Sequence, residues 1–196
     1  MATAAANQIP TTVLPATLVE VPATVTYELK KYSRDEYGGR EGAVEHVELY
    51  RNGKMVAMVN NRGDGGSPSI EIWSRGDDEM FTRELKALRG WIADFKKAGL
   101  QYRLDMSAFG KEDHIGDYDE EAVAYALLFE AQVVKDLSSK RTPQFADSLE
   151  KVKEGEFFTL KNSSKLTPAQ IQGFLDQNPG VVVWSKTEKK WTDKVA

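Results

Sequence analysis

The sequence predicts an α+β fold: a twisted antiparallel sheet of about four to five strands, two main helices on one face, and a small mixed α/β C-terminal extension. Three observations predict it. Alternating apolar and polar residues fill most of the stretch from 22 to 73. Tight-turn residues separate those runs, and strands joined by tight turns pair antiparallel. Two long helical patterns appear only after the strands, over 79–97 and 117–138.

The first strand is expected over 22–32, where Val25, Tyr27 and Leu29 share one face. A charged, Gly-rich loop follows over 33–42. Residues 44–60 read as a hairpin about Asn52-Gly53, because both residues tolerate positive φ. A second turn, Asn61-Arg62-Gly63-Asp64-Gly65-Gly66, leads to a strand over 69–73. Asp77 or Asp78 caps the helix over 79–97, whose apolar stripe is Phe81, Leu85, Leu88, Ile92 and Phe95. Gly99 stops it. Residues 100–106 suit a fifth strand, and a loop runs on to 116. Asp117 with Glu120 three positions on predicts a capping box for the next helix. Residues 122–129 are apolar almost all round, which predicts a central helix. Thr142-Pro143 and Thr167-Pro168 predict the starts of two further helices. A strand over 156–161 and a final hairpin joining 181–184 to 190–192 complete the expectation.

Three segments are expected: a flexible N-terminal arm (1–19), an α+β core domain (20–138) and a helix–hairpin extension (139–196). The arm is Ala, Thr and Pro with scattered aliphatics and no charge before Glu20. It lacks the basic start and unbroken apolar run of a secretory signal. No apolar run reaches the roughly 18 residues of a membrane helix, so no membrane is expected. The absence of Cys removes thiol catalysis and thiolate zinc sites, and agrees with a cytoplasmic location. A net charge of −4 argues against a dominant phosphate-binding surface.

Charge is unevenly spread. Between 105 and 136 stand nine acids against Lys111 and Lys135. Glu112, Asp113, Asp117, Asp119 and Glu120 form the densest part. As a surface they suit a partner protein with a basic face. As oxygen ligands, Asp113, Asp117 and Asp119 are candidates for a divalent cation, although the spacing matches no calcium loop. Acids at a helix start also serve the helix dipole.

Glu130 stands out because Ala126, Leu127, Val133 and Val134 surround it at helical spacing. A charge in an apolar stripe needs a partner or a raised pKa, and a raised pKa makes it a general acid/base candidate. His46 alternates with Glu48 and Tyr50 on one strand face, and His114 lies in the acidic segment; both are acid/base candidates. Arg62 and Asp64 are the binding candidates of the Gly-rich turn, since such loops on a rigid sheet carry binding residues. Trp184 and Trp191, beside Lys186, Lys189 and Lys190, are candidates for gripping single-stranded nucleic acid.

The form strand, Asn-Gly-Lys, strand, Asn-x-Gly-Asp-Gly-Gly, strand, then acid-led helix spans Val44 to about residue 80. It resembles a pattern in small uncharacterised proteins of bacteriophages and prophage-bearing bacteria. The resemblance implies an accessory protein acting on host machinery and carries over no catalytic residue. Where that pattern often has Cys after the glycines, this chain has Ser67.

The leading expectation is a non-enzymatic, accessory or inhibitor-like interaction protein. It binds through the acidic 105–121 region and the Gly-rich loop, with no cofactor. The rivals are a metal-dependent hydrolase or nuclease using the 112–121 carboxylates, and a single-stranded nucleic-acid binder using the Trp/Lys hairpin.

Overall fold

The structure is a computed structural model that describes residues 9–104 and 112–195. Its elements are mixed α and β, and its sheets are antiparallel. In chain order they are β1 (Thr11–Val13), β2 (Glu20–Pro22), β3 (Glu28–Asp35), β4 (Val44–Arg51), β5 (Lys54–Asn61), β6 (Ser69–Ile72), α1 (Asp78–Lys97), β7 (Gln101–Leu104) and β8 (His114–Asp117). Then follow α2 (Glu120–Ser139), β9 (Phe145–Ala146), α3 (Leu149–Lys153), α4 (Pro168–Gln177), β10 (Val182–Ser185) and β11 (Lys190–Thr192). The chain divides into two compact units. The first holds residues to Thr12 with Glu20–Leu128, and the second holds Val13–Val19 with Phe129–Ala196.

In the first unit β3, β4, β5 and β6 form a four-stranded sheet in that order. The Asn-Gly turn is as expected: Asn52 and Gly53 both have positive φ, and Arg51 pairs with Lys54. One face buries Val47, Leu49, Ala57, Val59 and Ile70. Helix α1 packs against β2 and β6. Asp77 caps it, accepting the Met80 N–H at 2.8 Å, and Gly99 ends it at a φ of 70°. The buried positions of α1 are Glu84, Leu88, Trp91 and Phe95.

That face is turned from the expected stripe, and Phe81 lies 42% exposed. The cause is an acid that faces inward. Glu84 meets the Arg51 guanidinium at 2.6 and 2.8 Å. The Trp91 indole N–H donates to the Pro22 carbonyl, fixing α1 against β2. Rings run on from there: Tyr27, Trp91, Phe95, Tyr118 and Tyr102 follow one another at centroid spacings of 4.6–5.7 Å.

The second unit is built on a three-stranded sheet in the order β11-β10-β9. Trp184 and Trp191 face each other across the β10–β11 hairpin, as expected, with ring centroids 5.6 Å apart. They join Leu137, Ala146, Val152, Val182 and Ala16 in one cluster. A second cluster gathers Phe145, Ile171, Leu175, Val181 and Val183. The Thr167–Gln170 capping box forms in full at the start of α4.

Several expected elements shift. The strand expected over 22–32 starts at Glu28, because Glu20–Pro22 pairs with β1 instead. It runs on to Asp35 through a register shift at Lys31, whose φ is 52°. The loop expected to 116 contains β8, which pairs with β7. Asp117 therefore ends a strand, and Asp119 caps α2 by accepting the Ala122 N–H at 2.9 Å. Thr142-Pro143 opens no helix. Phe145 and Ala146 are fully buried in a strand, and Ser148 caps the short helix α3. Of the strand expected over 156–161, a single bridge from Phe158 to Phe145 forms.

The N-terminal segment departs most. Residues 1–8 lie outside the described residues, as do 105–111 of the acidic stretch. Ala16 and Thr17, expected in a flexible arm, are buried in the second unit. The first unit also ends within α2, at Leu128, ten residues before the expected boundary at 138.

Candidate functional site

An open groove of about 630 Å³ lies along α1 in the first unit, lined by Arg89, Ile92, Ala93, Lys96, Lys97, Tyr118 and Glu120. Five of these recur on α1 at helical spacing, one position on from the buried residues Leu88, Trp91 and Phe95. The core contacts of α1 therefore aim this second stripe outward. Tyr118 follows β8 and is held by its contacts with Phe95 and Tyr102. Burial pushes its phenol pKa up. Ile92, Ala93 and the Tyr118 ring supply apolar surface, and three cations and one carboxylate supply charge.

Those cations differ in what they already hold. Lys97 meets Asp94 at 2.7 Å and Lys96 meets Asp117 at 3.3 Å. The Arg89 guanidinium has no ion pair or hydrogen bond among the described residues. A guanidinium beside apolar surface suits a ligand group that pairs a carboxylate with a hydrophobic side chain.

The acidic candidates are mostly engaged. Asp113 is forked onto Arg103. Asp117 takes a hydrogen bond from Gln101 and an ion pair from Lys96, which together hold its pKa below the ordinary value. Asp119 caps α2. Among the described residues no three His, Asp or Glu side chains gather to hold a metal ion, and the candidates Asp113, Asp117 and Asp119 are not brought together as one. Glu112 and Glu120 are exposed, without an ion pair among the described residues, and Glu120 alone of the acidic candidates lines the groove. The exposed His114 ring packs 5.8 Å from Tyr102.

His46 sits on the sheet face opposite the buried one, its Nδ1 2.9 Å from the Ser33 hydroxyl. On the same face the Tyr50 hydroxyl donates to Glu48. Burial opposes ionisation of Glu48, but hydrogen bonds from Tyr50 and Lys31 prevail and hold its pKa down. The Gly-rich turn closes on itself. The Gly63 carbonyl accepts from Glu41 and Gly42, and Asp64 accepts the Gly66 N–H at 3.1 Å. Arg62 meets Glu71 at 3.0 Å on the surface. Neither Arg62 nor Asp64 lines the groove.

Glu130 is 1% exposed in the second unit. Its carboxylate accepts the Ala16 and Thr17 N–H groups, both at 2.8 Å, and the Thr17 hydroxyl at 2.7 Å. Burial raises its pKa against those bonds. Its partners among the described residues are the donors of one turn, so the geometry favours the partnered, structural reading of Glu130 over the acid/base one. Trp184 and Trp191 are only 4% and 7% exposed. Rings packed in a core offer no face for base stacking, which corrects the expected nucleic-acid grip.

Sequence reasoning missed Arg89, Ile92, Lys96, Lys97 and Tyr118. The available signal was the second stripe of α1, with apolar and basic residues at i, i+3, i+4, i+7 and i+8 from Arg89. No helix among the described residues is long and apolar enough to cross a membrane. Comparison with protein-family models, curated proteins and solved structures finds no match.

Proposed function

We propose that the chain is a non-enzymatic interaction protein whose first unit binds a partner through the α1 groove. One observation carries this reading: Arg89, an uncommitted guanidinium, stands beside the apolar surface of Ile92, Ala93 and Tyr118. The partner that fits presents an acidic residue next to an apolar one. This inverts the basic partner expected from composition, because Asp113, Asp117 and Asp119 are already bound within the chain. On the likeness of residues 44–80 to phage proteins, the partner is a bacterial host protein.

The test is affinity capture from bacterial extract with three forms of the full chain. Wild type and an Asp113→Asn, Asp119→Asn form should retain the same proteins. Arg89→Glu with Ala93→Asp should lose them, since both positions are exposed and the fold tolerates polar residues there. Equal capture by all three forms refutes the groove as the contact site.

A further inference from the structure

The Val13–Val19 segment makes the second unit more than a core with a loop on it. This segment is closed by its own bonds: Leu14 N–H donates to the Val19 carbonyl at 2.8 Å, and Leu18 N–H to the Leu14 carbonyl at 2.9 Å. Leu18, at a φ of 56°, completes the turn. Part of its shape is therefore set by its own bonds. A ligand already in its bound shape loses little entropy on docking.

Those groups read the turn at five points. The Glu130 carboxylate takes two consecutive backbone N–H donors and the Thr17 hydroxyl. The Trp191 indole N–H donates to the Ala16 carbonyl at 3.1 Å. The Ala16 methyl is fully buried among Leu137, Val152, Trp184 and Trp191. Among the described residues no cation pairs with Glu130. Without the turn, the unit would hold a buried carboxylate and an indole N–H with nothing to bond. A site so built demands an occupant of matching chemistry.

We infer that the Glu130 carboxylate and Trp191 indole form a binding site for a tight turn with a small residue followed by threonine, that Val13–Val19 occupies it as a detachable ligand, and that the same turn from a second copy of the chain fits it equally. The recognition explains the residue types. Only Ala, Gly or Ser fits at 16, where nothing is exposed. Thr or Ser at 17 supplies the third donor. Exchange of an identical element between copies needs no new contact.

The test starts from the full chain carrying Ala16→Leu, whose own turn is too large for the site. A dye-labelled peptide of residues 10–23 should bind it saturably. Adding Glu130→Gln should weaken binding at least tenfold, because a neutral amide replaces a charged acceptor of three bonds. A peptide carrying Ala16→Leu should not bind. Wild type should bind the peptide far more weakly, since its own turn competes at an effective concentration of about millimolar. The Ala16→Leu chain has a vacant site and the Glu130→Gln chain a fitting turn, so together they should sediment as a heterodimer that neither forms alone. A folded Ala16→Leu chain that ignores the peptide overturns the site, and peptide binding without a heterodimer overturns exchange between copies. If Ala16→Leu does not fold, hydrogen exchange of wild type decides. A detachable turn requires the Ala16 and Thr17 amides to exchange at least tenfold faster than those of Leu137 and Val183. Equal rates overturn the inference.

Discussion

Helix α1 carries most of the groove, so whatever fixes α1 to the sheet governs that surface. The chief polar fixing is Arg51 on β4 with Glu84 on α1. The carboxylate side chain is 3% exposed and the guanidinium 24%. Arg51→Ala leaves the carboxylate buried, with only the Arg83 guanidinium at 3.1 Å, itself 68% exposed. An uncompensated buried charge of this kind costs about 3 kcal/mol, the lower end for a broken buried pair because Arg51 reaches water. At about 2–4 °C per kcal/mol for a chain of this size, the midpoint should fall by roughly 6–12 °C. Glu84→Ala should cost less, about 1–2 kcal/mol, since the freed guanidinium can turn to solvent along its stem. Arg51→Met with Glu84→Leu should return to within about 1 kcal/mol of wild type, because an apolar pair of similar volume removes both charges at once. Thermal unfolding followed by circular dichroism reads all three. If Arg51→Ala costs less than about 1 kcal/mol, the pair behaves as a surface pair and the account of α1 fails.

Three further outcomes follow from the same geometry. Burial raises the Glu130 pKa from 4.5, so the folded chain binds that proton more tightly than the unfolded chain; the resulting stability is complete below 4.5 and is lost as pH rises through the raised value. Asp94, held down by Lys97 and Thr24, contributes with the opposite sign, so the urea midpoint of wild type relative to Glu130→Gln is the quantity to follow; it should decline above 4.5, and a flat difference contradicts the burial. Thr167→Ala removes the hydroxyl half of the α4 capping box, leaving the backbone N–H of residue 167 on Gln170, and should cost about 1 kcal/mol in urea unfolding, with no effect on capture by the groove. Gly63→Ala should destabilise by about 2 kcal/mol or more, since a Cβ there meets the Gly42 and Ala43 carbonyl oxygens at a φ of 62°; Gly53→Ala, in open space at a φ of 74°, should cost only about 1 kcal/mol.

What was legible follows from range. The Asn52-Gly53 hairpin, the Asp77 cap, the Gly99 stop and the Thr167–Gln170 box are set by residues within four positions of one another, and all form. The elements that shifted answer to distant residues. Phe145–Ala146 becomes a strand because β10 pairs with it, overriding the Thr142-Pro143 signal. β8 has weak strand propensity of its own, with Gly116 and Asp117 in four residues, and exists by pairing with β7. The face of α1 turns because Arg51, on another strand, draws Glu84 inward.

Charge shows the same limit at the site. Nine acids against two lysines between 105 and 136 is a fact of composition, and a surface potential is a fact of pairing. Arg103 and Lys96 come from β7 and α1 to meet Asp113 and Asp117, so two of the densest carboxylates end as internal ion pairs. Among the described residues the pairing leaves Arg89 as the free cation of the groove, and Arg89 sits in a stretch of ordinary composition. Glu130 gives the converse case. Its burial was legible from four apolar neighbours at helical spacing, but its partners were not, because Ala16 and Thr17 lie more than a hundred residues away and offer backbone N–H groups that no residue type announces. A lone acid in an apolar stripe thus points to a partner of unknown position. When no cation in the sequence claims it, the candidate set should include a turn of the main chain.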